Sequence, residues 1–71
     1  MTSYTITWGE VRGVGHLTAR NESGDIVRRV ACDDPIDAGS DSASIASQVL
    51  GDLMIFSVDH DRETIHVAVE S

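Results

Sequence analysis

The sequence contains no lysine. Its five basic residues are all arginine, set against eight aspartates and four glutamates, for a formal net charge of −7 over 71 residues. A chain charged this way repels phosphates at long range, so direct nucleic-acid binding is disfavoured and a basic partner is attracted. There is one cysteine, Cys32, which excludes an internal disulfide. A lone thiol fits a reducing cytoplasm. Aromatic residues are reduced to Tyr4, Trp8 and Phe56, and proline to Pro35. No apolar run approaches the roughly 20 residues that a membrane-crossing helix needs. "MTSYTITWGE" lacks a basic stretch followed by an apolar core, so no export signal is expected and the protein is expected in the cytoplasm.

The length indicates one domain, residues 1–71, whose core is small. Without a disulfide, such a domain commonly relies on a metal, a second subunit or good packing. Self-association as a homodimer is therefore an expectation, with net charge working against it.

Charge is unevenly placed along the chain. Residues 1–29 carry Arg12, Arg20, Arg28 and Arg29 against Glu10, Glu22 and Asp25. Residues 30–61 carry seven aspartates and no base. "CDDPIDAGSDSAS", from Cys32 to Ser44, holds four of those aspartates and the only proline.

Periodicity supplies the fold. "SYTITW" alternates Tyr4, Ile6 and Trp8 with Ser3, Thr5 and Thr7, as a half-buried strand does. "GEVRGVG" reads as a flexible loop. "HLTAR" and "DIVRRVAC" flank "NESG", whose leading Asn and closing Gly suit a type I turn with a left-handed glycine. Pro35 ends the third strand near Asp33 or Asp34. Ile45, Ala46, Val49 and Leu50 then form one helical face, capped by Asp41 or Ser42 and stopped by Gly51. Leu53 extends the stripe, giving a helix over roughly 41–53. "MIFSVD" and "TIHVAVE" flank "HDRE" as a second hairpin. A His60–Glu63 loop would set Asp59 against Thr64, Val58 against Ile65 and Phe56 against Val67. The predicted order is β-β-β-α-β-β: a small α+β domain, four to five antiparallel strands with one helix on one face. The expected core is Ile6, Trp8, Leu17, Ile26, Val30, Ile45, Val49, Leu50, Phe56, Val58, Ile65, Val67 and Val69. The other sheet face, with Thr5, Thr7, Ser57, His66 and Arg29, is expected to be solvated or open to a partner.

Chemistry-bearing motifs are absent. His16, His60, His66 and Cys32 lack zinc-ligand spacing. Asp59, Asp61, Glu63 and Glu70 occupy calcium-loop positions, but Thr64 stands where the loop requires glycine. The glycine stretch lacks GK[ST], and no GxSxG occurs. Cys32 beside Asp33 and Asp34 is a poor nucleophile, because nearby negative charge disfavours the thiolate. No cofactor, metal or catalysis is therefore expected. The helix presents Ser44, Ser47 and Gln48 outward, a small and uncharged face.

These features point to a non-enzymatic, acidic, protein-binding module. Its predicted contact residues are Asp33, Asp34, Asp37, Asp41, Asp59 and Asp61, engaging a basic surface of a protein partner. Such a surface would normally hold nucleic acid. In size and charge the profile is similar to that of small phage-type inhibitors that mimic nucleic acid; the likeness is of profile, not of motif. The alternative is a structural or self-associating domain from a salt-adapted cytoplasm, whose acidity serves solubility alone.

Overall fold

The computed structural model describes residues 2–51, 55–61 and 63–69, with backbone pairing only at residues 55–56. The elements are β1 (Thr2–Val11), β2 (Val14–Arg20), β3 (Ile26–Ala31), α1 (Ser42–Leu50), β4 (Ile55–Asp61) and β5 (Thr64–Val69). The strands make one antiparallel sheet in the order β3-β2-β1-β5-β4, and the helix packs on one face of it. This is the α+β architecture that the periodicity predicts.

The chain order explains the layout. Two consecutive hairpin connections lay β1, β2 and β3 side by side. The β4–β5 hairpin then returns β5 to the open side of β1. β3 and β4 thus become the two edges, and the antiparallel pairings make them run in the same direction. Both finish at the same end of the sheet. The connector after β3 crosses that end, and α1 carries the chain back toward the start of β4.

Alternation decides which residues face the helix. Ile6 pairs with Ala19 and Ile65, Trp8 with Leu17, and Tyr4 with Val67. Ile6, Leu17, Ala19, Ile65, Val67 and Val69 are buried there under Ala46, Val49 and Leu50 of α1. Tyr4, Trp8, Val30, Ile45 and Val58 pack partly buried around them. Ile36, from the connector, is the unexpected member, 1% exposed.

Local signals account for the ends of the elements. Asn21 Oδ1 accepts from the N–H groups of Ser23 and Asp25, both at 3.0 Å. Gly24 closes that turn at φ +89°. The side chain of Asp41 caps α1 by accepting from Ser44 N–H, and Gly51 at φ +71° returns its N–H to the Ser47 carbonyl at 2.8 Å. The helix stops at Leu50, and the extension through Leu53 lies outside the described residues.

Four expectations change. "GEVRGVG" is not a loop: β1 runs to Val11 and β2 starts at Val14. Arg12 and Gly13, at φ +54° and +81°, form the two-residue turn that matches strand twist. β3 ends at Ala31, two residues before Asp33. Ile26 is half exposed, not core. A bulge between Ala19 and Arg20 passes over Val27, which sets Ile26 opposite Arg20 on the uncovered face. Finally, β4 pairs Asp61 with Thr64, His60 with Ile65 and Val58 with Val67, two residues from the expected register. A slip of two keeps every side chain on its face, so hydrophobic alternation alone cannot distinguish the two registers. Glu63 at φ +61° lets two residues suffice for the turn. The side chain of Phe56, like Met54, Arg62 and Glu70, lies outside the described residues.

Candidate functional site

The site starts from an anchoring contact. The indole N–H of Trp8 donates to the Cys32 carbonyl at 2.9 Å, fixing the chain as it leaves β3. The ring lies directly against Gly15: a Cβ there would collide with the Cys32 carbonyl oxygen and stand 2.8 Å from Trp8 Cζ2. Only glycine allows that approach. Cys32 itself is half-buried, and its thiol donates to the Asp34 carbonyl at 3.3 Å.

Beyond Pro35, Ile36 plugs into the core and holds the connector against the sheet end. The next turn is closed by its own polar groups. Asp37 Oδ1 accepts from Gly39 N–H at 2.8 Å and from the Ser40 hydroxyl at 3.3 Å. The Ser40 hydroxyl in turn accepts from Asp37 N–H at 2.9 Å. This is an aspartate turn, with a mechanism independent of any partner.

Between that turn and the β4–β5 hairpin lies an open cleft of about 560 Å³ lined by Ile36, Asp37, Ala38, His60, Asp61 and Glu63. Three carboxylates thus share the cleft with exposed Ala38, while Ile36 forms its buried floor. His60, expected at an exposed hairpin tip, lies within β4 on the helix-facing side, opposite buried Ile65. Its Nε2 is buried without a hydrogen-bond partner among the described residues.

The six predicted aspartates are distributed as follows. Asp37 and Asp61 share the cleft. Asp33 and Asp34 follow β3 at the same end of the sheet but from its opposite edge. Asp41 caps α1, and its Oδ2 also accepts from the Ser44 hydroxyl at 2.9 Å. That hydroxyl, helped by the Ser44 N–H, holds the Asp41 carboxyl below its ordinary range. Asp59 points to the uncovered face, opposite His66, where a shallow depression of about 240 Å³ is bordered by Ser3, Thr5, Ser57 and Ala68. His66 faces Asp59, not Ser57 as expected, because of the same two-residue slip.

Sequence reasoning missed Glu63 and His60 as cleft residues. The negative charge of Glu63 was visible, but its placement depends on the hairpin register. Ile36 was the overlooked signal: one large apolar residue between Pro35 and Asp37 marks a point where a connector touches the core.

Arginines occupy the other half of the uncovered face. Arg20 donates to the Thr7 hydroxyl at 3.2 Å and Arg29 to the Thr18 hydroxyl at 3.3 Å. Among the described residues no group of three or more His, Cys, Asp or Glu is placed to hold a metal ion, and no helix is long and apolar enough to cross a membrane. No protein-family model matches the chain, and neither does a curated protein or a solved structure.

Proposed function

We propose that this chain is a non-enzymatic, acidic, cytoplasmic protein-binding module that offers one end of its sheet to a basic surface of a protein partner. The supporting observation is the cleft that joins Asp37, Asp61 and Glu63 across 24 residues of sequence or more. Its shape suits an arginine or lysine side chain. The carboxylates attract the charged head, and Ala38 offers the aliphatic stem an apolar contact. Asp33, Asp34, Asp41 and Asp59, elsewhere on the surface, add long-range attraction, which speeds association and selects basic partners. A partner surface that ordinarily holds nucleic acid has the matching chemistry, so the module would act as an inhibitor by occupying it.

The test is capture of the partner by wild type, by Asp37→Asn/Glu63→Lys and by Glu22→Lys. Asparagine at 37 removes charge but keeps an acceptor for the turn. Glu22 lies in the Asn21–Asp25 turn at the opposite end of the sheet. The cleft variant should lose most binding, the control should keep it, and wild-type binding should weaken as salt rises. An arginine-rich peptide titrated into the labelled protein should shift the amide signals of Ile36, Ala38 and His60. Equal capture by both variants, with no shifts at the cleft, removes the reading and leaves the acidity a matter of solubility.

A further inference from the structure

We infer that the β3 edge is a self-recognition surface, which pairs with the β3 edge of a second copy about a two-fold axis through Ala31. The observation is a charge pattern that forms no ion pair among the described residues, Arg29 donating only to the Thr18 hydroxyl. Arg28 and Arg29 precede Ala31, and Asp33 and Asp34 follow it. Arg28 and the carboxylates of Asp33 and Asp34 have no hydrogen-bond or ion-pair partner among the described residues. Antiparallel pairing about Ala31 sets Arg29 opposite Asp33 of the second copy and Arg28 opposite its Asp34. Both pairs occur twice by symmetry. Asp33 and Asp34 stand in the bend just past the strand, so their carboxylates meet the arginines of the second copy from the end of the ladder.

The backbone supports the same centre. Cys32 N–H bonds to the Gly15 carbonyl at 2.9 Å, so residues 28, 30 and 32 turn their polar groups toward β2. Alternation leaves the N–H and C=O of Ala31 pointing outward from the edge, and Ala31 is exposed. The usable window is bounded on both sides. The bulge at Val27 disrupts the strand on one side, and Pro35, which has no N–H, would oppose Val27 on the other. The chain bends at Asp33 and Asp34, so the shared ladder is short and the long arginine side chains span what remains. Other centres are worse: pairing about Arg29 sets arginine against arginine, which is destabilising.

The experiment is a charge swap read by analytical ultracentrifugation. Wild type should dimerise reversibly between micromolar and millimolar concentration. Arg28→Asp/Arg29→Asp and Asp33→Arg/Asp34→Arg should each self-associate at least ten-fold more weakly, because each sets like charges against like. Their equimolar mixture should restore dimerisation to near the wild-type strength, since every opposing pair is then complementary. The arginine-enriched variant carries a smaller net charge than wild type, so bulk repulsion predicts that it dimerises more tightly; specific pairing predicts the reverse. As a second readout, Ala31→Cys in a Cys32→Ser background should cross-link on oxidation. Cα atoms of a hydrogen-bonded pair lie about 5.5 Å apart, inside the range a disulfide spans. A monomeric wild type at every concentration overturns the inference. So does an undiminished dimer of the Asp33→Arg/Asp34→Arg variant, or the absence of a cross-link at position 31. Asp37, Asp61 and Glu63 are unchanged in all these variants, so failure here leaves the cleft reading standing, and failure there leaves this one.

Discussion

The Asn21–Asp25 turn and the Cys32–Asp41 connector lie at opposite ends of the sheet and redirect the chain by different means. At one end the Asn21–Asp25 turn is self-sufficient: a single asparagine accepts two backbone N–H groups and Gly24 supplies the positive φ. At the other end the connector from Cys32 to Asp41 depends on distant residues. Trp8 holds its start, Gly15 makes room for the ring, and Ile36 ties its middle into the core. The first end is local and carries no candidate site. The second is assembled from four stretches of chain, and its assembly is what brings the carboxylates together. A cluster of carboxylates on so small a domain costs stability, and the tertiary anchors at that end offset the cost.

Substitutions that cut an anchor should test this contrast most severely. Ile36→Ala removes a fully buried side chain and should destabilise by about 2–5 kcal/mol in urea unfolding. In a domain of this size that approaches the whole folding free energy. If the loss is under about 0.5 kcal/mol, as for an ordinary surface site, the connector is not held by the core. Gly15→Ala should cost about 1–3 kcal/mol, because its methyl group meets the Cys32 carbonyl and the Trp8 ring. Its tryptophan fluorescence should change as well, which a remote destabilisation would not cause in the folded state.

His60→Leu should act in the opposite direction. Removing a buried nitrogen that has no partner among the described residues should raise stability by about 1 kcal/mol, measured as a higher urea midpoint with an unchanged slope. A loss instead would show that a group bound in the cleft satisfies the imidazole. Asp41 offers a pH test. Its carboxyl is held below the ordinary range in the folded state by Ser44, so ionised Asp41 favours folding. That contribution is complete above the unfolded value and disappears as pH falls through the folded one. Asp41→Ala should therefore be less stable than wild type at neutral pH, and the gap should close in acid. Asp41→Asn, which caps without ionising, should keep its cap at both extremes. Coincident acid-unfolding curves for wild type and Asp41→Ala would remove the cap from the account. The smallest effect should come from Glu22→Lys in the self-sufficient turn, within about 0.5 kcal/mol of wild type by thermal unfolding.

Much of this contrast is legible in the order of residues. Alternation in "SYTITW" and "TIHVAVE" assigns the inward faces of β1 and β5, because a half-buried strand must separate apolar from polar residues. The turn at "NESG" and the caps Asp41 and Gly51 are legible for a related reason: each acts on backbone groups within a few residues. The candidate site is only half legible. Its aspartates are conspicuous as a run, yet Asp37 and Asp61 meet only because β3 and β4 end on the same side, and Glu63 and His60 join them only in the observed register.

Determined by the sequence alone, then, are the excess of negative charge, its concentration after residue 30, the β-β-β-α-β-β order and the local caps. Composition, hydrophobic periodicity and short-range hydrogen bonding suffice for all of these. The tertiary structure decided the hairpin register, the burial of Ile36 and of the His60 Nε2, the close contact of Trp8 with Gly15 and the division of the aspartates between cleft, cap and sheet face. Each of these is a choice between locally equivalent alternatives. A two-residue slip leaves every face unchanged, and an isoleucine in a polar connector has no local reason to be buried. Only contacts between residues far apart in the chain distinguish the outcomes, because the free energy that separates them is that of closing one shared core.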